Sequence, residues 1–375
     1  MRTAFASATI FLILMCTAAY FPLRFQVASG GLRVHRSTTA VLRETSLDGF
    51  AALEPIDVHT HDFANDPSFY QWMERLHLHV LDICVADSYN IFRSLGPELT
   101  AAKHFVGGSG GRAKLCTTFD PFAFEDTDFA KRTILHMNRD FAEGAVAVKI
   151  WKNIGMQLKR SNRSYVMPDD PVFQPIYENI VAQNKTLVAH LAEPDSCWQP
   201  PNPASPDYGY YKENPQWYMY LQPDRPSKPE ILAARDRLLE KNPKLRVIGA
   251  HLGSMETNVD EIAKRLDRYP NFAVDTAARM EYLIIQPREK VRQFLIKYQD
   301  RILYGTDMEF QTDQPTAQTI QDWERAYQRD WTYLATDKTW FEGDLQVKGL
   351  ALPHEVLQKI FRDNAVHWIP GILGP

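Results

Sequence analysis

Ile56-Asp57-Val58-His59-Thr60-His61 is an apolar run that closes on two imidazoles in alternation. Successive side chains of a strand point to opposite faces, so a period of two predicts Asp57, His59 and His61 on one face, the inner one in a small barrel. Seven further short runs rich in apolar or β-branched residues follow it: Val80 to Ala86, Lys114 to Phe119, Val146 to Trp151, Thr186 to His190, Arg246 to His251, Phe272 to Asp275 and Ile302 to Tyr304. Stretches with apolar residues at helical spacing lie between them, such as Asp128 to Phe141, Pro175 to Gln183, Pro229 to Lys241 and Val259 to Arg268. Strand followed by helix, eight times over, predicts an α/β protein with a parallel sheet, a (β/α)8 TIM-type barrel over about residues 50–370. A length of 375 residues accommodates one such barrel with insertions.

Three stretches break the rhythm. Pro194 to Pro229 is crowded with Pro, Tyr, Trp and Asn and reads as a long loop inserted after the fifth strand, over the barrel mouth. Asp313 to Gly349 is helical in part, with Trp323, Tyr327 and Trp331 at four-residue spacing, and is a second insertion candidate. Gly107-Gly108-Ser109-Gly110-Gly111 reads as a plain linker, since it lacks the strand before and the basic residue after that a phosphate loop needs.

Composition narrows the function classes. Apolar residues are 45% and charged residues 23% of the chain, the balance of a folded protein with a real core. A net charge of −4 without a long Lys/Arg run offers no face for nucleic acid. Residues 1–30 differ from the rest: Arg2 precedes an apolar run from Ala4 to Phe21, and Thr17-Ala18-Ala19 supplies small residues behind it. This is the grammar of a signal peptide, with an N-terminal membrane anchor as the alternative, and it predicts an exported protein, periplasmic or held in the cell envelope. The four cysteines, Cys16, Cys84, Cys116 and Cys197, form no regular framework. Cys84 and Cys116 fall in apolar runs and read as small hydrophobes. Cys197, in the long loop, is the one to test for reactivity.

The chemistry sits at the strand ends. Thr186-Leu187-Val188-Ala189-His190 and Arg246-Val247-Ile248-Gly249-Ala250-His251 each end in His, and Arg301-Ile302-Leu303-Tyr304-Gly305-Thr306-Asp307 ends in Asp. In an eight-stranded barrel the carboxyl ends of the strands form the active-site face. His59, His61, His190, His251 and Asp307 are therefore predicted in one cup. Neutral imidazole and carboxylate together suit a divalent transition metal.

At these residues the sequence resembles the amidohydrolase superfamily, in the amidohydrolase-related branch that includes aminocarboxymuconate semialdehyde decarboxylase. The resemblance rests on Asp57-Val58-His59-Thr60-His61, the strand-ending His190, His251-Leu252-Gly253, Tyr304-Gly305-Thr306-Asp307 and the closing Asp363-Asn364-Ala365. It implies a distorted barrel in which His59, His61 and His190 are metal ligands, Asp307 is a ligand or proton acceptor, and His251 polarises or shuttles a proton. The implied cofactor is one divalent ion, zinc with manganese as the second candidate. Lys149 has three readings: the metal-bridging lysine of the family's binuclear members, a contact to an anionic substrate, or a structural lysine. A solvated or helix-facing position fits Lys152 better. The implied reaction is hydrolysis of a small-molecule lactone, ester or amide. Decarboxylation or hydration on the same residues is the alternative, and a binding protein without catalysis is the third reading. Arg279 is placed to meet a substrate carboxylate. Trp198, with Glu193, Tyr208, Tyr210, Tyr211, Trp217 and Tyr220, either stacks on substrate or anchors the long loop to the barrel or to a second subunit of a homo-oligomer.

Overall fold

A computed structural model describes residues 46–87 and 95–374. The apolar start with its export signal, and Cys16, lie outside the described residues. Among the described residues no helix is long and apolar enough to cross a membrane.

Eight strands alternate with eight main helices. The strands are β1 (Ile56–Asp62), β2 (His79–Ile83), β3 (Ala113–Thr118), β4 (Ala147–Ile150), β5 (Thr186–Ala189), β6 (Arg246–Gly249), β7 (Phe272–Asp275) and β8 (Ile302–Leu303). The helices that follow them are α1 (Pro67–Arg75), α2 (Leu95–Gly108), α3 (Phe129–Ala142), α4 (Gln174–Ala182), α5 (Lys228–Lys241), α6 (Val259–Arg268), α7 (Arg288–Lys297) and α8 (Thr316–Ala335). Neighbouring strands pair in parallel throughout. The ring closes through a broken last strand: after four residues of irregular backbone β8 resumes as β9 (Met308–Phe310), which pairs in parallel with β1. In the break the Val58 amide donates to the Tyr304 carbonyl and the Asp307 amide to the His59 carbonyl, so the two strands stay tied while Asp307 adopts φ +67°. Gly305 permits this approach, because a Cβ there would stand 3.0 Å from the His59 Cβ.

Ile56, Val58, Leu81, Ile83, Val188, Ile248, Ala273 and Leu303 fill the barrel interior. A larger apolar layer lies between strands and helices. The sequence expectation for β1 fails at one point. Ile56 pairs with His79 and Asp57 with Val80, yet Thr60 pairs with Asp82, three steps on β1 against two on β2. This bulge reverses the alternation. Asp57 consequently faces the helix layer, where it meets Tyr327 of α8, while His59 and His61 turn inward.

Two of the three irregular stretches are more regular than the sequence suggests. Gly107 and Gly108 complete α2 rather than forming a linker, and a Cβ on Gly108 would meet the Tyr70 ring of α1 at under 3 Å. The stretch after β8 is mainly α8, the barrel's own eighth helix, whose Trp323 and Tyr327 pack on Trp72 of α1. The inserted part is the hairpin of β10 (Thr339–Glu342) and β11 (Leu345–Lys348). The stretch after β5 is indeed long, but it is built from short helical turns, Asp195–Trp198, Tyr208–Glu213, Pro215–Trp217 and Met219–Leu221. These bury Cys197, Tyr211, Trp217 and Met219; we call this segment the lid.

Candidate metal centre

His59 and His61 are fixed from behind. The His59 Nδ1 donates to Asp275 Oδ2 at 2.9 Å, and the His61 Nδ1 donates to the Ile83 carbonyl at 2.7 Å. With Nδ1 carrying the proton, each neutral ring presents a lone pair at Nε2. Both Nε2 atoms stand 3.3 Å from Asp307 Oδ1, and one ligand atom from each of the three residues lies within 4.8 Å of the others. Lys149, at the end of β4 and 1% exposed, brings its Nζ to 3.0 Å from the His59 Nε2.

The other half of the cup comes from β5 and β6. His251 begins a left-handed turn in which His251, Leu252, Gly253 and Ser254 all have φ near +60°. Such backbone costs roughly 1–2 kcal/mol per non-glycine residue and persists only where its surroundings hold it. Here the His251 amide donates to Asp275 Oδ1, the Ser254 hydroxyl to the Ala192 carbonyl, and the buried Arg235 guanidinium to the Gly253 carbonyl at 2.6 Å. His251 Nδ1 donates to the Ala277 carbonyl at 2.9 Å, and its Nε2 faces His190 Nδ1 at 3.2 Å. His190 is thus the neighbour of His251 and stands outside the tight trio of His59, His61 and Asp307. Its own Nε2 is buried without a hydrogen-bond partner among the described residues.

Electrostatics keeps these rings neutral. Burial lowers the pKa of His59, and lowers those of His190 and His251 well below the usual histidine value. Burial opposes ionisation of Asp307, but its interactions with His251, His61 and His59 outweigh it and hold the carboxyl well below its usual range. Neutral imidazoles beside an ionised carboxylate are a donor set that fits a divalent ion such as zinc or manganese. His59, His251 and Asp275 form a second group of the same compactness.

Asp275 was missed in the sequence although it ends β7, at the same address as the other strand-end residues. It holds His59 and the His251 amide at once. Lys152 was misread: it is 2% exposed and ion-paired with Glu193, with Trp151, Tyr210 and Trp217 rings 4.6–5.0 Å from its Nζ. Trp198 donates its ring N–H to the Pro226 carbonyl, which closes the lid on itself. Cys197 is buried, its thiol donating to the Trp217 carbonyl and pushed up to about 12 by burial, so it is no reactive thiolate. Arg279 is buried near the mouth; its Nη1 donates to the Ala278 carbonyl and its Nε has no partner among the described residues.

A family model described as Amidohydrolase matches residues 56–370. No curated protein matches the sequence. Among solved structures, an uncharacterised TIM-barrel protein from Bordetella bronchiseptica is 15% identical, with 85% of this chain and 99% of that one covered at a TM-score of 0.52. A probable 2-pyrone-4,6-dicarboxylic acid hydrolase from Acinetobacter baumannii is 12% identical, covering 84% and 98% at 0.47. A 2,6-dihydroxybenzoate decarboxylase from Rhizobium is 13% identical, also covering 84% and 98% at 0.47.

Proposed function

The chain belongs to the amidohydrolase family, and on that footing we propose that it is a metal-dependent hydrolase cleaving a C–O or C–N bond of a small lactone, ester or amide. The observation that carries this is the convergence of His59 Nε2, His61 Nε2 and Asp307 Oδ1 within 4.8 Å, with both Nδ1 atoms already committed behind them. These three would hold one divalent ion, zinc or manganese, with His190 beside His251 as the further ligand candidate. Such an ion supplies Lewis acidity, polarising a carbonyl and making water a nucleophile near neutral pH.

The chain's own groups then divide the proton work. Asp307, ionised and 29% exposed on its side chain, takes a proton from the attacking water and returns it to the leaving group. His251 has its Nδ1 proton committed to Ala277, so in the neutral ring Nε2 is an acceptor. This makes it a proton carrier rather than a standing donor to the attacked oxygen. Lys149 lies 3.0 Å from the His59 Nε2, and beside a single ion its role is contact to an anionic substrate or structural support. Lys152 is neutralised by Glu193, which leaves Arg279, whose Nε has no hydrogen-bond partner among the described residues, as the group to pair with a substrate carboxylate.

Metal analysis of the purified full chain, beside His59→Ala, tests the centre. The wild type is expected to carry or take up about one zinc or manganese per chain, and uptake equal in the variant would refute the assignment. A panel of lactones, esters and carboxylic acids, with carbon dioxide release followed in parallel, separates hydrolysis from lyase chemistry. Carbon dioxide without any product of water addition would replace the hydrolase reading by a decarboxylase.

A further inference from the structure

We propose that the Lys152–Glu193 pair is a positioning latch that couples seating of the lid to the orientation of His190. The inference rests on the metal reading above for one of its two consequences. Glu193 lies three residues beyond His190, and its Oε1 pairs with Lys152 while standing 3.9 Å from the partnerless His190 Nε2. A modest rotation of the imidazole closes that gap. Glu193 Oε2 accepts from the Tyr211 hydroxyl at 3.3 Å, and the Lys152 Nζ donates to the Tyr210 hydroxyl at 2.5 Å. Tyr210, Tyr211 and Trp217 all belong to the lid, whereas Lys152 follows β4 and Glu193 follows β5.

Two charges taken out of water must offset their desolvation by close pairing and full hydrogen bonding. Both charges are at most 3% exposed, and both groups find the remaining partners only in the lid. With the lid seated, Glu193 is therefore held facing His190; with the lid lifted, the pair loses its tyrosines and its aromatic cover. A carboxylate that receives the outer N–H of a ligand histidine fixes the ring and its tautomer, and removing such a partner costs metal affinity by about 10–100-fold. Asp275 does this for His59 on the opposite side of the cup. Glu193 does it for His190, under the control of the lid.

Glu193→Gln, Lys152→Met and the double variant, each as full chain, test this by zinc affinity in competition with a chromophoric chelator, thermal midpoint, and tryptic cleavage at Lys212 in the lid. Expected are a zinc affinity lower by about 10–100-fold in each single variant and faster lid cleavage. The double variant, with no unpaired buried charge, should regain thermal stability without regaining affinity. Wild-type affinity in Glu193→Gln would overturn the proposal, and so would affinity that returns together with stability in the double variant. If the wild type binds no zinc or manganese, the metal reading falls. The latch then stands on faster cleavage in both single variants and falls if cleavage is unchanged.

Discussion

The two faces of β1 are both buried and both lined with titratable groups, yet they are tuned in opposite senses. On the inner face, His59 and His61 have every rear hydrogen bond filled and their Nε2 atoms open toward Asp307. On the outer face, Asp57 collects donors from Thr306, Tyr327 and the His59 amide, and burial still raises its pKa to about 7. Asp62 and Asp82 beside it are pushed well above the usual carboxylate range by burial. Burial penalises the charged form of acid and base alike: it makes the imidazoles usable as ligands and the outer carboxyls into neutral hydrogen-bonding groups. A buried ionisable residue is thus read by its open atoms, and only the inner face has them converging.

The largest break in this contrast comes from His59→Ala, which removes an open atom. Its loss of metal affinity should exceed the roughly 10–100-fold expected from losing a residue that only orients a ligand, as read by metal titration. Asp275→Asn should fall within that 10–100-fold range, because it leaves the ligand atom present and spoils the proton placement on His59. Affinity unchanged in Asp275→Asn would mean that the rear hydrogen bond to His59 is idle.

The third test uses pH, by urea unfolding of metal-free protein. An outer carboxyl whose folded pKa is raised stabilises the fold below its unfolded value, near 4, and that contribution is lost as pH rises through the folded value, about 7 for Asp57. The inner His190 and His251, with lowered folded values, work the other way: their neutral burial stabilises the fold above about 6.5 and is lost as pH falls. Replacing Asp82 by Asn should therefore make stability rise more steeply with pH, by up to about tenfold in the folding equilibrium per pH unit. A slope equal to wild type would show that Asp82 is not held neutral. The smallest effect is expected from Arg279→Lys, about a tenfold higher KM for a carboxylate-bearing substrate with kcat changed less, since an ammonium cannot make the bidentate pair.

The barrel was legible because strand-then-helix alternation is a repeated signal, and eight errors of the same kind would be needed to mislead. His59, His61, His190, His251 and Asp307 were legible as neighbours because each ends a strand at the same barrel face. Asp275 shares that address and was passed over for want of an imidazole beside it. The reversal of Asp57 could not be read, since the bulge uses no glycine and shows only in the register between β1 and β2. Lys152 was misplaced because its partner lies 41 residues away, beyond the end of another strand, out of reach of any periodicity. The lid's short turns were hidden by its prolines, and α8 by the expectation that aromatic-rich sequence after the last strand is an addition.

The bulge in β1 also bears on how this protein can change over evolutionary time. Were β1 to pair with β2 without the bulge at its present length, strict alternation would deliver the paired histidines into the helix layer. The letters of the motif would survive while the cup emptied. Conversely, a straight strand with an outward-facing His-x-His could turn it inward by a one-step shift of register at a bulge, with no new ligand residue required. For this arm, strand register determines the chemistry as much as residue identity does.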